Sequence, residues 1–205
     1  MGSLLQGKKC LVSGVGPGLG REIALAFARE GANAVPGPHP ESTDPEDCRR
    51  IVDAAVADLG RLDVLVLHAV TDDASVSDVP QPFETADLDD WRRIMDVNLF
   101  GALQLAHAVI PVMKAQGAGS IVFVSSRDNR NASPFQGGDA TAKAARYTAA
   151  QVLAKELGPH GIRVNTIVLG STVSARDCAD AVVFFASELS SVVTGQGLDL
   201  TGMIS

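Results

Sequence analysis

The stretch GGDATAKAARY, residues 137–147, sets a carboxyl group and an amine four positions apart. On a helix, Asp139 and Lys143 share one face, close enough for a carboxylate–ammonium pair. An amine one turn from a titrating group suits proton exchange with a substrate oxygen. The group at that centre is a carboxyl, however. Carboxyl groups ionise at about pH 4 and phenols at about pH 10, so Asp139 is expected to be a carboxylate with no proton for a carbonyl at neutral pH. Loss of one positioned acid typically lowers a rate by about 10²–10⁴. Asp139 also suits a plainer task, as N-cap of a helix starting at Ala140, and both roles stay open. Tyr147 lies about 12 Å further along a helix axis at the usual rise per residue, so it is not expected to reach the same point. His68, which ends VLVLH, could exchange a proton near neutral pH or serve as a structural histidine. Ser125 and Ser126 could satisfy backbone groups at a strand end.

A second chemical signal precedes these. In SGVGPGLGREIALAFAREGA, Gly14, Gly18 and Gly20 follow an apolar run and open an apolar-periodic helix. Glycines at such a joint let backbone amides approach a pyrophosphate, which the helix N-terminus stabilises. Ser13, Gly14, Gly18, Leu19 and Gly20 are the expected contacts. The spacing is G-x-x-x-G-x-G, and a tight turn without ligand is the competing reading. The partner signal, an acidic or basic residue ending the second strand to select a ribose group, is missing: that strand runs into PGPH. Asp44 and Asp47 are expected instead to open the next helix.

These groups need a scaffold, and the chain supplies short β-branched runs alternating with Ala/Leu-rich helical patterns, the signature of a parallel sheet between helices. Strands are expected at Lys9–Ser13, Ala32–Val35, Leu62–His68, Ser120–Ser125, Arg163–Val168 and Gly197–Leu200. Helices are expected at Gly18–Glu30, Pro45–Leu59, Asp87–Asn98 running on to Gln116, Ala140–Leu157 and Ala175–Glu188. Runs such as VLVL and IVFV are apolar throughout, as for strands covered on both faces. The fold class is therefore α/β, in a single domain spanning 1–205. Two joints are thin. A strand–helix–strand unit takes about 30 residues, so none hides between Val35 and Pro45, and only STVSA separates Gly170 from the last helical pattern.

The formal charge of −7 argues against nucleic acid as main partner. Cys10, Cys48 and Cys178 are scattered without metal-ligand spacing and read as reduced thiols in a cytoplasmic protein. No metal site, signal peptide or membrane-spanning stretch is expected.

Taken together, SGVGPGLG, GRLDVLVLHAV, DDWRRIMDVNLFGALQLAHAVIPVMKAQGAGSIVFVSS, VLAKELGPHGIRVNTIVLG and CADAVVFFASELSSVVTGQGL resemble, in order and spacing, the short-chain dehydrogenase/reductase family. The resemblance implies a Rossmann-like three-layer α/β/α domain lacking one edge strand and its helix. It also implies NAD or NADP as cofactor and an Asn–Ser–Tyr–Lys site mapping to Asn98, Ser126, Asp139 and Lys143, with Asp139 in the tyrosine's place. Ala69 falls at the cofactor edge, in a segment where Leu67, His68, Ala69 and Val70 replace Asn-Asn-Ala-Gly. Assembly is expected through helices 99–116 and 140–157, as a homo-oligomer or with another family member, over a flat surface of Ala142, Ala145, Ala149, Val152 and Leu153. With its acid replaced and its substrate loop short, the chain is expected to be a degenerate, non-catalytic or weakly catalytic subunit. The alternatives are an NAD(P)-dependent oxidoreductase with a non-standard site and a cofactor-free isomerase or cyclase using Asp139 and His68.

Overall fold

The structure is a computed structural model that describes residues 3–37, 44–68, 81–126 and 134–202. Six strands, β1 Lys9–Ser13, β2 Asn33–Pro36, β3 Val64–Leu67, β4 Gly119–Ser126, β5 Ile162–Leu169 and β6 Gly197–Leu200, form one sheet. Its order is β2-β1-β3-β4-β5-β6 and every pairing is parallel. The helices are α1 Leu19–Arg29, α2 Pro45–Leu59, α3 Leu88–Met95, α4 Ala102–Gln116, α5 Gly137–Leu157 and α6 Ala175–Ala186.

The strand period of two explains the layering. Leu11, Leu65, Ile121 and Val164 point to one face and pack with α2, α4 and α5. Val12, Val66, Val122 and Ile167 point to the other and pack with α1 and α6. All four residues of VLVL are buried, as a strand covered on both faces requires. The result is the expected Rossmann-like three-layer fold. Among the described residues β2 is the outermost strand on one side of the sheet, and α2 begins soon after it in the chain. Pro36 is accommodated at this edge, in register with Val12.

Helix α2 starts as expected. Asp44 is its N-cap and accepts from the Glu46 amide at 2.9 Å, with Pro45 in the first turn. The long helix expected from Asp87 to Gln116 is instead interrupted by a π-helical turn, Asp96–Gly101, between α3 and α4. By length and composition, the run Leu88–Gln116 could cross a membrane, contrary to expectation. Leu105, Ala106, Val109 and Met113 nevertheless lie in the core beside α2 and the sheet, which makes this a core helix.

Candidate functional site

Strand β1 runs outward to β2 and the chain returns to β3 on the other side of β1, so a crevice opens at the carboxyl ends of β1 and β3. Ser13 closes β1 in register with Leu67 of β3, and Ser126 closes β4 in register with Leu169. The candidate residues gather along this edge.

The turn after β1 owes its shape to missing side chains. Gly14 has φ 78° and Gly18, the N-cap of α1, has φ 100°. A Cβ at Gly20 would collide with the Gly14 carbonyl oxygen, so only glycine allows the first turn of α1 to lie against the strand end. Around Gly16 and Gly18 the space is open. No side chain caps α1, and an uncapped helix N-terminus after a glycine turn is the arrangement that binds phosphate oxygens. Ser13 is buried beneath the turn. Leu19 is partly buried and packs against the apolar layer that holds Ile23 and Phe27. At the end of β2, the Gly37 amide donates to the Val12 carbonyl at 2.6 Å. Asp44 and Asp47 belong to α2.

At the start of α5 the helix begins at Gly137, after an N-cap at Gln136 that makes no side-chain cap. Asp139 is therefore inside the first turn, and its expected N-cap role is corrected. The reason is tertiary. Trp91 of α3 covers Gly137 where any Cβ would strike the indole, and Ile94 lies against Gly138, so packing extends the helix through two residues of poor helix propensity. The carboxylate of Asp139 still suits the positive end of α5. It forms an ion pair with Lys143 one turn on. It also accepts from the Nδ2 amide of Asn98 at 3.4 Å. Asn98 is buried in the π turn. Such widened turns recur at functional sites, and this one sets Asn98 opposite α5. Ser125 Oγ donates to the Lys143 carbonyl at 3.5 Å, bringing the end of β4, and with it Ser126, beside the same turn of α5.

One residue was overlooked in the sequence. Arg146, on α5, is fully buried and its Nη2 donates to the Leu67 carbonyl at 2.6 Å. Burial lowers its pKa to about 10, partly opposed by the charge of Asp139. The available signal was a charge at the helical spacing of Ala142, Ala150 and Ala154, all buried. Ala142 is buried against Ile94 of α3, so it is not part of the flat surface expected of it. His68 follows β3. Burial, and then the charge of Arg146, hold its pKa down to about 4, so it is a neutral imidazole at pH 7 and the expected titration near neutrality is corrected. Ala69 lies outside the described residues. Tyr147 rests against Gly197 of β6.

The joint after β5 is a tight turn. The Gly170 amide donates to the Leu200 carbonyl at 2.7 Å and Thr172 Oγ1 to the Thr201 carbonyl at 3.0 Å. Ser174 then caps α6, accepting from the Asp177 amide at 3.1 Å.

Residues 38–179 match the family profile described as short chain dehydrogenase. The chain is 29% identical to a 3-oxoacyl-[acyl-carrier-protein] reductase of Thermotoga maritima, over 97% of this chain and 98% of the relative. That aligned span is 247 residues, longer than the chain's 205, so the relative carries residues without counterpart here. A trans-4-hydroxycyclohexanecarboxylate dehydrogenase of Sinomonas cyclohexanicum is 32% identical, over 90% of this chain and 72% of the relative. The crystal structure of a short-chain dehydrogenase/reductase from Burkholderia xenovorans superposes with a TM-score of 0.86 at 29% identity, covering 98% of this chain and 97% of that one.

Proposed function

The chain belongs to the short-chain dehydrogenase family, and on that premise we propose that it is a dinucleotide-binding member whose own carbonyl-reducing step is weak or absent. The observation that carries this reading is the state of Asp139: a carboxylate held between the Lys143 ammonium and the Asn98 amide. A group that accepts from both neighbours has no proton to give a substrate oxygen. Lys143, engaged with that carboxylate, is not free to act on a neighbouring phenol, and Tyr147 is occupied against β6.

The family generally takes NAD(P), and the glycine turn fits it. The open space at Gly16 and Gly18, and the close seat of Gly20 on Gly14, make a cradle that a Cβ would fill. Gly14, Gly18 and Gly20 would hold the pyrophosphate, with Ser13 beneath them. A bound nicotinamide would supply hydride transfer. The short turn at residues 170–174 leaves little chain to cover a substrate. Assembly belongs to the same reading: a second copy, or an active relative, would dock on the helices spanning 99–116 and 140–157, where Phe100 and Val152 are about half exposed, at 49% and 48%. A second reading, a working NAD(P)-dependent oxidoreductase, is favoured by the relatives' names, which are those of a reductase and dehydrogenases.

Calorimetry of the purified chain with NAD(H) and NADP(H), followed by turnover on a panel of ketones and aldehydes, separates the two. The expected result is cofactor binding with turnover about 10²–10⁴ below that of a tyrosine-bearing relative. Robust reduction by the purified homomeric chain overturns the proposal in favour of the second reading. No binding of either cofactor overturns both.

A further inference from the structure

Ala150 and Ala154 of α5 pack in the apolar layer on the sheet and Ala142 packs against Ile94 of α3, all at most 4% exposed. Arg146, on the same helix, has the largest fully buried side chain among the described residues, at 0% exposure. Arginine is almost never so buried without a partner that requires it. Here the guanidinium crosses from α5 to the last residue of β3 and donates to the Leu67 carbonyl at 2.6 Å. Leu67 is in register with Ser13, directly beneath the glycine turn, and the next residue is His68. The contact thus joins the helix that carries Asp139 and Lys143 to the strand end that floors the crevice.

We propose that Arg146 is a positioning residue: its guanidinium ties α5 to the carboxyl end of β3 and so sets the height of Leu67 and His68 under the dinucleotide crevice. The proposal rests on the crevice assigned above only for the word dinucleotide; the tie itself stands on the hydrogen bond and on burial. Charge-assisted hydrogen bonds to a carbonyl are stronger than neutral ones, and a planar fork holds direction as well as distance. The tie therefore fixes where β3 stops relative to α5, which neither an alanine nor an aliphatic side chain at that position could do. The charge of Asp139, on the same helix, acts on it, and its own charge acts on His68 at the end of β3. The low titration of His68 is in part a consequence of the same guanidinium.

Arg146→Met and Arg146→Lys in the full chain test this without cofactor. The first readout is hydrogen exchange of the amides near the end of β3, compared with those of β5. Loss of one charge-assisted bond is expected to speed exchange at the β3 end by about tenfold while β5 keeps its protection. The second readout is the imidazole titration of His68 by NMR. It is expected to move up from about 4 in Arg146→Met and to stay low in Arg146→Lys, which restores the charge. Unchanged β3 exchange and an unchanged His68 midpoint in a folded Arg146→Met protein overturn the proposal. If Arg146→Met does not fold, Arg146→Lys decides: faster exchange confined to the β3 end supports the tie, and wild-type protection there overturns it. Failure of the wild-type protein to bind NAD(H) or NADP(H) removes the dinucleotide reading and leaves these exchange results to decide the role of Arg146.

Discussion

The turn between β1 and α1 and the first turns of α5 face the same crevice, yet they are built on opposite terms. The first works by having no side chains: Gly14 and Gly18 take positive φ, and Gly20 touches a carbonyl oxygen that excludes any Cβ. The second works by the identity of its side chains, Asp139, Lys143 and Arg146, on a helix whose backbone is set by Trp91 and Ile94 from outside. A backbone cradle is tied to the fold, because changing it disturbs packing. A catalytic side chain is not, because α5 folds alike whichever proton donor it carries. Binding and catalysis can therefore separate in one domain.

Three changes probe that separation. The largest effect is expected from Asp139→Tyr, which puts a phenol one turn from Lys143. Turnover of a carbonyl probe should rise by about 10²–10⁴ with little change in cofactor affinity. Steady-state kinetics beside calorimetry would check this, and an unchanged rate would mean that the deficit does not lie in the acid. Next is Gly20→Ala. Its methyl group collides with the Gly14 carbonyl oxygen, and overpacking of this kind costs about 1–3 kcal/mol. Thermal unfolding and calorimetry should show stability and cofactor binding falling together. If either fell alone, the cradle would not be tied to the fold as argued. The third is a pH dependence. The His68 pKa is lowered from 6.5 to about 4, so the unfolded chain binds this proton more readily. The stability that His68 contributes is fully present above about pH 6.5 and is lost as pH falls toward 4. Denaturant midpoints between those pH values should slope less in His68→Gln, and equal slopes would place the burial of His68 in doubt.

How much of this was legible depended on range. Strands β1 and β6 and helix α2 lie where local pattern puts them, because alternation, Asp44 and Pro45 are short-range signals. The Asp139–Lys143 pair follows from helical spacing alone. The start of α5 did not, because two glycines hide a helix that packing against Trp91 enforces. The π turn at Asn98 has no mark in local propensity. The role of Arg146 left no mark in the sequence because its partner, the Leu67 carbonyl, is a backbone group 79 positions away in the chain. Ala142 was expected on a flat docking surface for a related reason: an alanine alone does not say which side of a helix a neighbour such as α3 covers.

The outer strand β2 has a bearing on how the protein behaves in a crowded solution. A sheet that ends one strand early presents a new row of backbone groups to any chain that drifts past. Here that row is four residues long, begins with Asn33 and ends with Pro36, which has no amide hydrogen to offer. A short margin closed by proline is a poor template for strand addition, so the shortened sheet carries its own guard against edge-to-edge aggregation.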